Sequence, residues 1–188
     1  MEEPIRHRGE PMLERFNLLI STSRGNERNA CREAWYLLNE LGDSCPEVDV
    51  TPAVGLVAAH TSLDPLEATS RLRDIFHSRP WEFRYILKVT PIESVVRAGL
   101  PEIARLAQEL SRRIGDGESY RVTVRKRHSD LRSSAIVEAA ASKIDRRVDL
   151  ESPDKILLVE VISDLAGLSL MPPDATFAVE KERRRLRR

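Results

Sequence analysis

The chain has 188 residues, of which 41% are apolar, enough for a real core in one large domain or two small ones. Its 30 basic and 30 acidic side chains cancel, which argues against a wholly basic nucleic-acid coat but not against a local patch. Two cysteines, Cys31 and Cys45, exclude a disulfide framework and suit a reducing compartment. The polar start "MEEPIRHRGEP" is no signal peptide, and no apolar run approaches the roughly 20 residues of a membrane span, so the expected location is the cytoplasm, with no membrane partner.

Residues 1–15 read as a flexible N-terminus. "FNLLIST" (16–22) reads as a strand. Ala30, Ala34, Leu37, Leu38 and Leu41 recur on one helix face over 26–41, and Gly42 stands where a helix C-terminal glycine belongs. "VDVTPAV" and "GLVAAHT" read as two short strands. Asp64, Pro65 and Glu67 supply an N-cap, a first-turn proline and a capping-box acid for a helix to about Phe76. "FRYILKVTPI" (83–92) is the next strand. The order from 16 to 92 is β-α-β-β-α-β, the ferredoxin-like split arrangement, and predicts a first domain over 16–92.

In the second half, Ser94–Ala98 reads as a short helix. Pro101 opens the next, with Ile103, Leu106, Ala107, Leu110 and Ile114 as its inner stripe, and "GDG" ends it. A strand follows over 120–127, then a helix from about Ser134 to Arg146 carrying Ile136, Val137, Ala140 and Ile144. "KILLVEVI" (155–162) is apolar except for Glu160, the signature of a strand buried on both faces of a parallel sheet covered by helices. "TFAVEKE" (176–182) reads as a last strand. These elements predict a second domain over 93–182 with a mostly parallel sheet, and a basic tail over 183–188. The fold class is α/β (α+β).

Linear motifs for chemistry are missing. There is no Gly-x-x-x-x-Gly-Lys phosphate loop, no Gly-x-Gly-x-x-Gly after a strand and no Gly-x-Ser-x-Gly elbow. His7, His60, His77 and His128 lack metal-ligand spacing. No catalytic residue, metal ligand or cofactor is expected.

The segment "YRVTVRKRHSDLRSS" (120–134) carries the strongest signal. In a strand, Tyr120, Val122 and Val124 point one way and Arg121, Thr123, Arg125 and Arg127 the other. Like charges on one sheet face are mildly destabilising, so the arginines need a partner. After the strand, Ser133 or Ser134 would cap a helix whose N-terminus attracts phosphate, with Arg125, Arg127 and Arg132 close by. Arginine's planar fork suits phosphate. Two readings follow: the arginines face an RNA backbone, or they pair with acidic neighbours on a solvated face. A second basic junction lies at Arg24, Gly25 and Arg28, where Gly25 can simply make the turn and Glu27 offsets one charge.

"NERNACREAWYLLNELGD" (26–43) resembles the signature helix of the THUMP-domain proteins that assist tRNA cytidine acetylation. "YRVTVRKRHSDLRSSAIVEAAASKI" with "VDLESPDKILLVEVISDLAGLSLM" resembles the THUMP domain of that family, and "ILKVTPIESVV" resembles the segment where its two domains join. The likeness covers about residues 16–180. It implies an N-terminal ferredoxin-like domain, a THUMP domain, tRNA binding, and an adaptor role in which tRNA is presented to an RNA cytidine acetyltransferase. Other THUMP proteins carry a fused methyltransferase, thiouridylase or deaminase domain, for which the chain leaves no room after the THUMP-like part. That implies RNA binding without catalysis. The expected RNA contacts are Arg24, Arg28, Lys88, Arg121, Arg125, Lys126, Arg127 and Arg132. Asp149, Pro153 and Asp154 match the family's "VDL" segment and read as a structural turn. A competing reading is a regulatory or small-molecule-binding ferredoxin-like module without an RNA substrate.

Overall fold

A computed structural model describes residues 14–187. The N-terminus expected to be flexible therefore lies, apart from Glu14 and Arg15, outside the described residues, as do His7 and Arg188. The chain divides into two compact units. One runs to Ile92 and takes in the chain again from Ala175; the other is Glu93–Asp174.

The first unit follows the βαββαβ order read from the sequence. Strand β1 (Leu18–Ser21) leads to helix α1 (Glu27–Glu40), strands β2 (Glu47–Val50) and β3 (Leu56–His60), helix α2 (Pro65–Ser78) and strand β4 (Lys88–Pro91). Ala30, Ala34, Leu37 and Leu38 form the buried face of α1, the stripe that period-3.6 spacing dictates. Gly42 closes it at φ +106°, a left-handed conformation that costs glycine little. The Asp64 carboxylate accepts the Glu67 amide at 2.9 Å and caps α2. In the sheet, β4, β1, β3 and β2 lie side by side, each antiparallel to its neighbour.

Two expectations change here. The strand expected over 83–92 shrinks to β4. Its first part is taken by the Glu33 carboxylate of α1, which accepts the backbone amides of Arg84, Tyr85 and Ile86 at 2.8–3.2 Å. Those amides cannot also serve a strand neighbour. The segment 176–182, expected as a last strand of the second domain, instead belongs to the first unit. Strand β10 (Phe177–Ala178) pairs with β4, and Val179–Leu186 is a helix, numbered α5 below, not a strand and a tail. The reason is aromatic: Phe76, Phe83 and Phe177 are buried, with ring centroids 5.4–5.6 Å apart. Two of the three pairs are edge-on, an arrangement that adds about 0.5–1.5 kcal/mol per pair beyond area burial.

The second unit holds strand β5 (Ser94–Arg97), helix α3 (Leu100–Ser111), strand β6 (Ser119–Arg127), helix α4 (Ser133–Ala141), and strands β7 (Arg147–Val148), β8 (Lys155–Ile162) and β9 (Leu165–Met171). Its sheet runs β5-β9-β8-β6-β7. Strand β6 pairs parallel with β7 and β8, while β9 pairs antiparallel with β8 and β5. The parallel character expected of this sheet thus sits around β6. The residues expected to form a short helix at 94–98 give β5 instead, because β-branched Val95 and Val96 suit a pleated edge and β9 offers its free side. The stripe Ile103, Leu106, Ala107, Leu110 and Ile114 is buried as read and shares a core with Tyr120, Ile136, Ala140, Leu157, Val159 and Val161. Helix α4 stops at Ala141, short of the expected Arg146. The Ser142 hydroxyl bonds back to the Ala139 carbonyl at 2.8 Å, and Arg147 and Val148 are needed for β7.

Candidate nucleic-acid interface

Strand β6 keeps the parity read from its sequence. Tyr120, Val122 and Val124 pack toward the core under α3 and α4. In-register pairing sets Arg125 opposite Glu160 and Arg127 opposite Ile162 of β8. The Glu160 side chain is 2% exposed and carries the two arginines. Arg125 Nη1 donates to its Oε1 at 3.0 Å, and Arg127 Nη1 to its Oε2 at 3.2 Å. Of the two sequence readings, the acidic neighbour is present. It is buried, however, and its partners are not: the arginine side chains are 38% and 32% exposed. Each guanidinium carries five N–H donors and gives Glu160 one of them. The trio also keeps a net formal charge of +1, two cations against one anion.

The chain around this trio turns sharply. His128 has φ 52° and Ser163, between β8 and β9, has φ 54°. The Ser163 amide donates to the Arg127 carbonyl at 3.0 Å, so both left-handed residues sit at the C-terminal ends of the parallel pair β6 and β8. Left-handed non-glycine residues are uncommon and collect at functional sites. Helix α4 begins just beyond, but its serines do not cap it as expected. Arg132 is the N-cap residue, with an extended backbone and no side-chain capping bond. The Ser129 hydroxyl is used earlier, accepting the Leu131 amide at 3.4 Å.

The other expected contacts divide. Exposed Lys126 donates to the Ser129 carbonyl at 3.3 Å, and Arg132, three residues after Ser129, is exposed. Arg121 is turned to the Leu150 carbonyl at 2.7 Å, away from the Glu160 trio. Arg24, Arg28 and Lys88 belong to the first unit. Arg24 and Arg28 are exposed at the β1–α1 junction, where Gly25 takes φ +85°. Lys88 stands opposite Ser21, the last residue of β1, at the same end of that sheet. Glu27 there accepts the Gly55 amide at 2.8 Å; it braces a loop besides any service to Arg28. Among the described residues no cluster of three or more His, Cys, Asp or Glu could hold a metal, and no helix is long and apolar enough to cross a membrane.

Asp149 and Asp154 build turns, as their pattern suggests. Asp149 accepts the amides of Glu151 and Ser152 at 3.0 and 2.9 Å, and those bonds, with the charge of Arg147, hold its carboxyl below the usual aspartate range. Asp154 accepts both the amide and the hydroxyl of Ser119 at 2.7 and 2.8 Å, which likewise lowers it. Sequence reasoning missed Glu160 and His128 as parts of the site. The signal for Glu160 was there: one acid inside an otherwise apolar strand needs a buried partner.

Residues 97–171 match the family described as the THUMP domain. No curated protein sequence matches the chain. Solved structures of similar fold include PH1313 from Pyrococcus horikoshii Ot3, with 19% identity and a TM-score of 0.58 over 83% of this chain and 54% of that one. A 4-thiouridine synthetase in complex with RNA and with bound ATP has 16% identity and a TM-score of 0.55 over 88% of this chain and 42% of that one. TrmN from Thermus thermophilus has 18% identity and a TM-score of 0.51 over 81% and 44%. The chain thus spans about half or less of the length of these structures, and at such identity the likeness is one of fold. Strand β6, helix α4 and the β8–β9 hairpin, with Arg125, Arg127 and Glu160, all fall inside the matched segment, and the chain carries a THUMP domain at residues 97–171.

Proposed function

We propose that this protein binds RNA, specifically tRNA destined for modification, at the C-terminal end of β6, and that it serves as a non-catalytic adaptor, presenting tRNA to an RNA cytidine acetyltransferase. The observation that carries the reading is the pair Arg125 and Arg127, half-exposed and fixed side by side within a segment that matches an RNA-binding domain. Guanidinium forks with donors to spare suit phosphate. Lys126 and Arg132 add charge at the same strand end. The solved synthetase of similar fold, captured with RNA, supports the same substrate class. The acetyltransferase partner rests on the sequence resemblance. The non-catalytic part of the reading rests on the sequence, which carries no linear catalytic motif; at the site itself Glu160 is engaged by the two arginines.

The test removes the charged trio as a unit. Arg125→Met, Arg127→Met and Glu160→Met in one chain leave no buried charge unpaired, and an apolar replacement of a whole ion cluster is often neutral for stability. The triple variant should melt near the parent, bind total tRNA more weakly in a filter assay, and lose up to about two phosphate contacts' worth of salt dependence. Parental affinity and salt slope in a normally melting triple variant would sink the RNA reading. In a second arm, the chain alone is incubated with unmodified tRNA, acetyl-CoA and ATP, and the digested tRNA is weighed by mass spectrometry. No modified nucleoside is expected; one formed without any other protein overturns the adaptor role.

A further inference from the structure

We infer that Glu160 is a positioning residue for phosphate recognition: it fixes the Arg125 and Arg127 guanidiniums as one preformed fork, and so strengthens the binding of a polyanion although it is itself an anion. The inference rests on the RNA-binding reading. Arg125 and Arg127 occupy positions i and i+2 of one strand, about 6.6 Å apart along the backbone. Left alone, two like charges on one face splay apart, and each long side chain gives up rotamer freedom when it is ordered. Glu160 takes one N–H from each, through separate oxygens at 3.0 and 3.2 Å. Its side chain is buried, and parallel pairing of β6 with β8 fixes it opposite Arg125. The ordering is complete before the ligand arrives, so the outward donors meet phosphate with less left to lose.

Charge alone predicts the opposite sign, and that separates the two accounts. Glu160→Gln removes a negative charge from a site proposed to hold RNA. If the acid merely tolerates the arginines, tRNA binding should tighten. If it positions them, binding should weaken by about tenfold, because the amide replaces one of the two accepting oxygens with an NH2 donor that faces a guanidinium donor and cannot hold it. A second variant, Arg125→Lys with Arg127→Lys, keeps both charges and loses the planar fork. It should bind tRNA about tenfold more weakly, with the salt slope of the parent. Adding Glu160→Gln to the lysine pair should cost little more. Unchanged or tighter binding by a normally melting Glu160→Gln chain overturns the inference. Should that chain fail to fold, parental binding by the lysine pair overturns it instead. The triple methionine variant distinguishes the failures: if it binds weakly while Glu160→Gln binds tightly, RNA recognition stands and the positioning role falls.

Discussion

Among the described residues each unit holds one buried glutamate bound by basic side chains, and the two do opposite work. Glu160 and Glu182 are both 2% exposed. Glu160 takes two arginines from the adjacent strand, and those arginines reach outward. Glu182 stands in the first turn of α5 (Val179–Leu186) and meets His77 Nε2 at 3.1 Å, Arg185 Nη1 at 3.0 Å and Arg73 Nε at 3.6 Å. Arg73 and His77 belong to α2, about a hundred residues earlier, and Arg73 is only 19% exposed. One acid thus presents cations to solvent. The other spends Arg73 and the His77 hydrogen bond of α2 on holding a returning chain segment in place. The lesson is that a buried carboxylate among basic residues is not evidence of a binding site until the exposure of its partners is known.

The sharpest way to break the first half of the comparison is to remove the arginines and leave the acid. Their half-exposure makes Arg125→Ala with Arg127→Ala look like a mild surface change. Glu160 makes it severe, because a buried charge left without partners costs about 3–5 kcal/mol. A melting temperature lower by on the order of 10 °C is expected for a chain of this size; a drop within 2 °C would mean that Glu160 does not depend on them.

Glu182→Gln probes the other half with a smaller effect. Burial pushes the Glu182 carboxyl up, but the hydrogen bond from His77 and the charges of Arg185 and Arg73 outweigh it and hold it below the ordinary 4.5. A carboxyl depressed in the folded state stabilises above its unfolded value and loses that contribution as pH falls through the folded one. The variant should therefore be less stable than the parent at neutral pH, by about 1–3 kcal/mol. The gap should close as pH falls well below 4.5. Parallel melting curves across that range would remove Glu182 from the account. The smallest effect calibrates both: Arg97 pairs with Asp164 at side-chain exposures of 61% and 71%. Asp164→Asn should change stability by no more than about 1 kcal/mol, as exposed pairs do. A larger loss in chemical denaturation would show that exposure is a poor guide here.

Much of this was legible in the chain. The stripes of α1 and α3, the Asp64 cap, the buried run of β8 and the parity of β6 follow from local spacing. What local spacing misses is pairing over distance. Residues 94–97 became a strand because β9 lay open to them, and β9 itself was not foreseen. Residues 84–86 were lost to β4 because Glu33 took their amides. Phe177 carried the C-terminal segment away from the second unit, which no periodicity announces. At the candidate site the arginines were evident and their mutual arrangement was not, since Arg125 and Glu160 meet across a register 35 residues long.

Phe177 also sets an order of events. A chain is synthesised from its N-terminus, at roughly 5–20 residues per second, and domains generally close as they emerge. Here Phe76 and Phe83 are made early, but the ring that completes their cluster arrives only after the whole of Glu93–Asp174. The unit that starts first is the last to be finished. Until then β4 has an unpaired edge where β10 will lie, and that nascent edge is open to a chaperone or a mispaired strand.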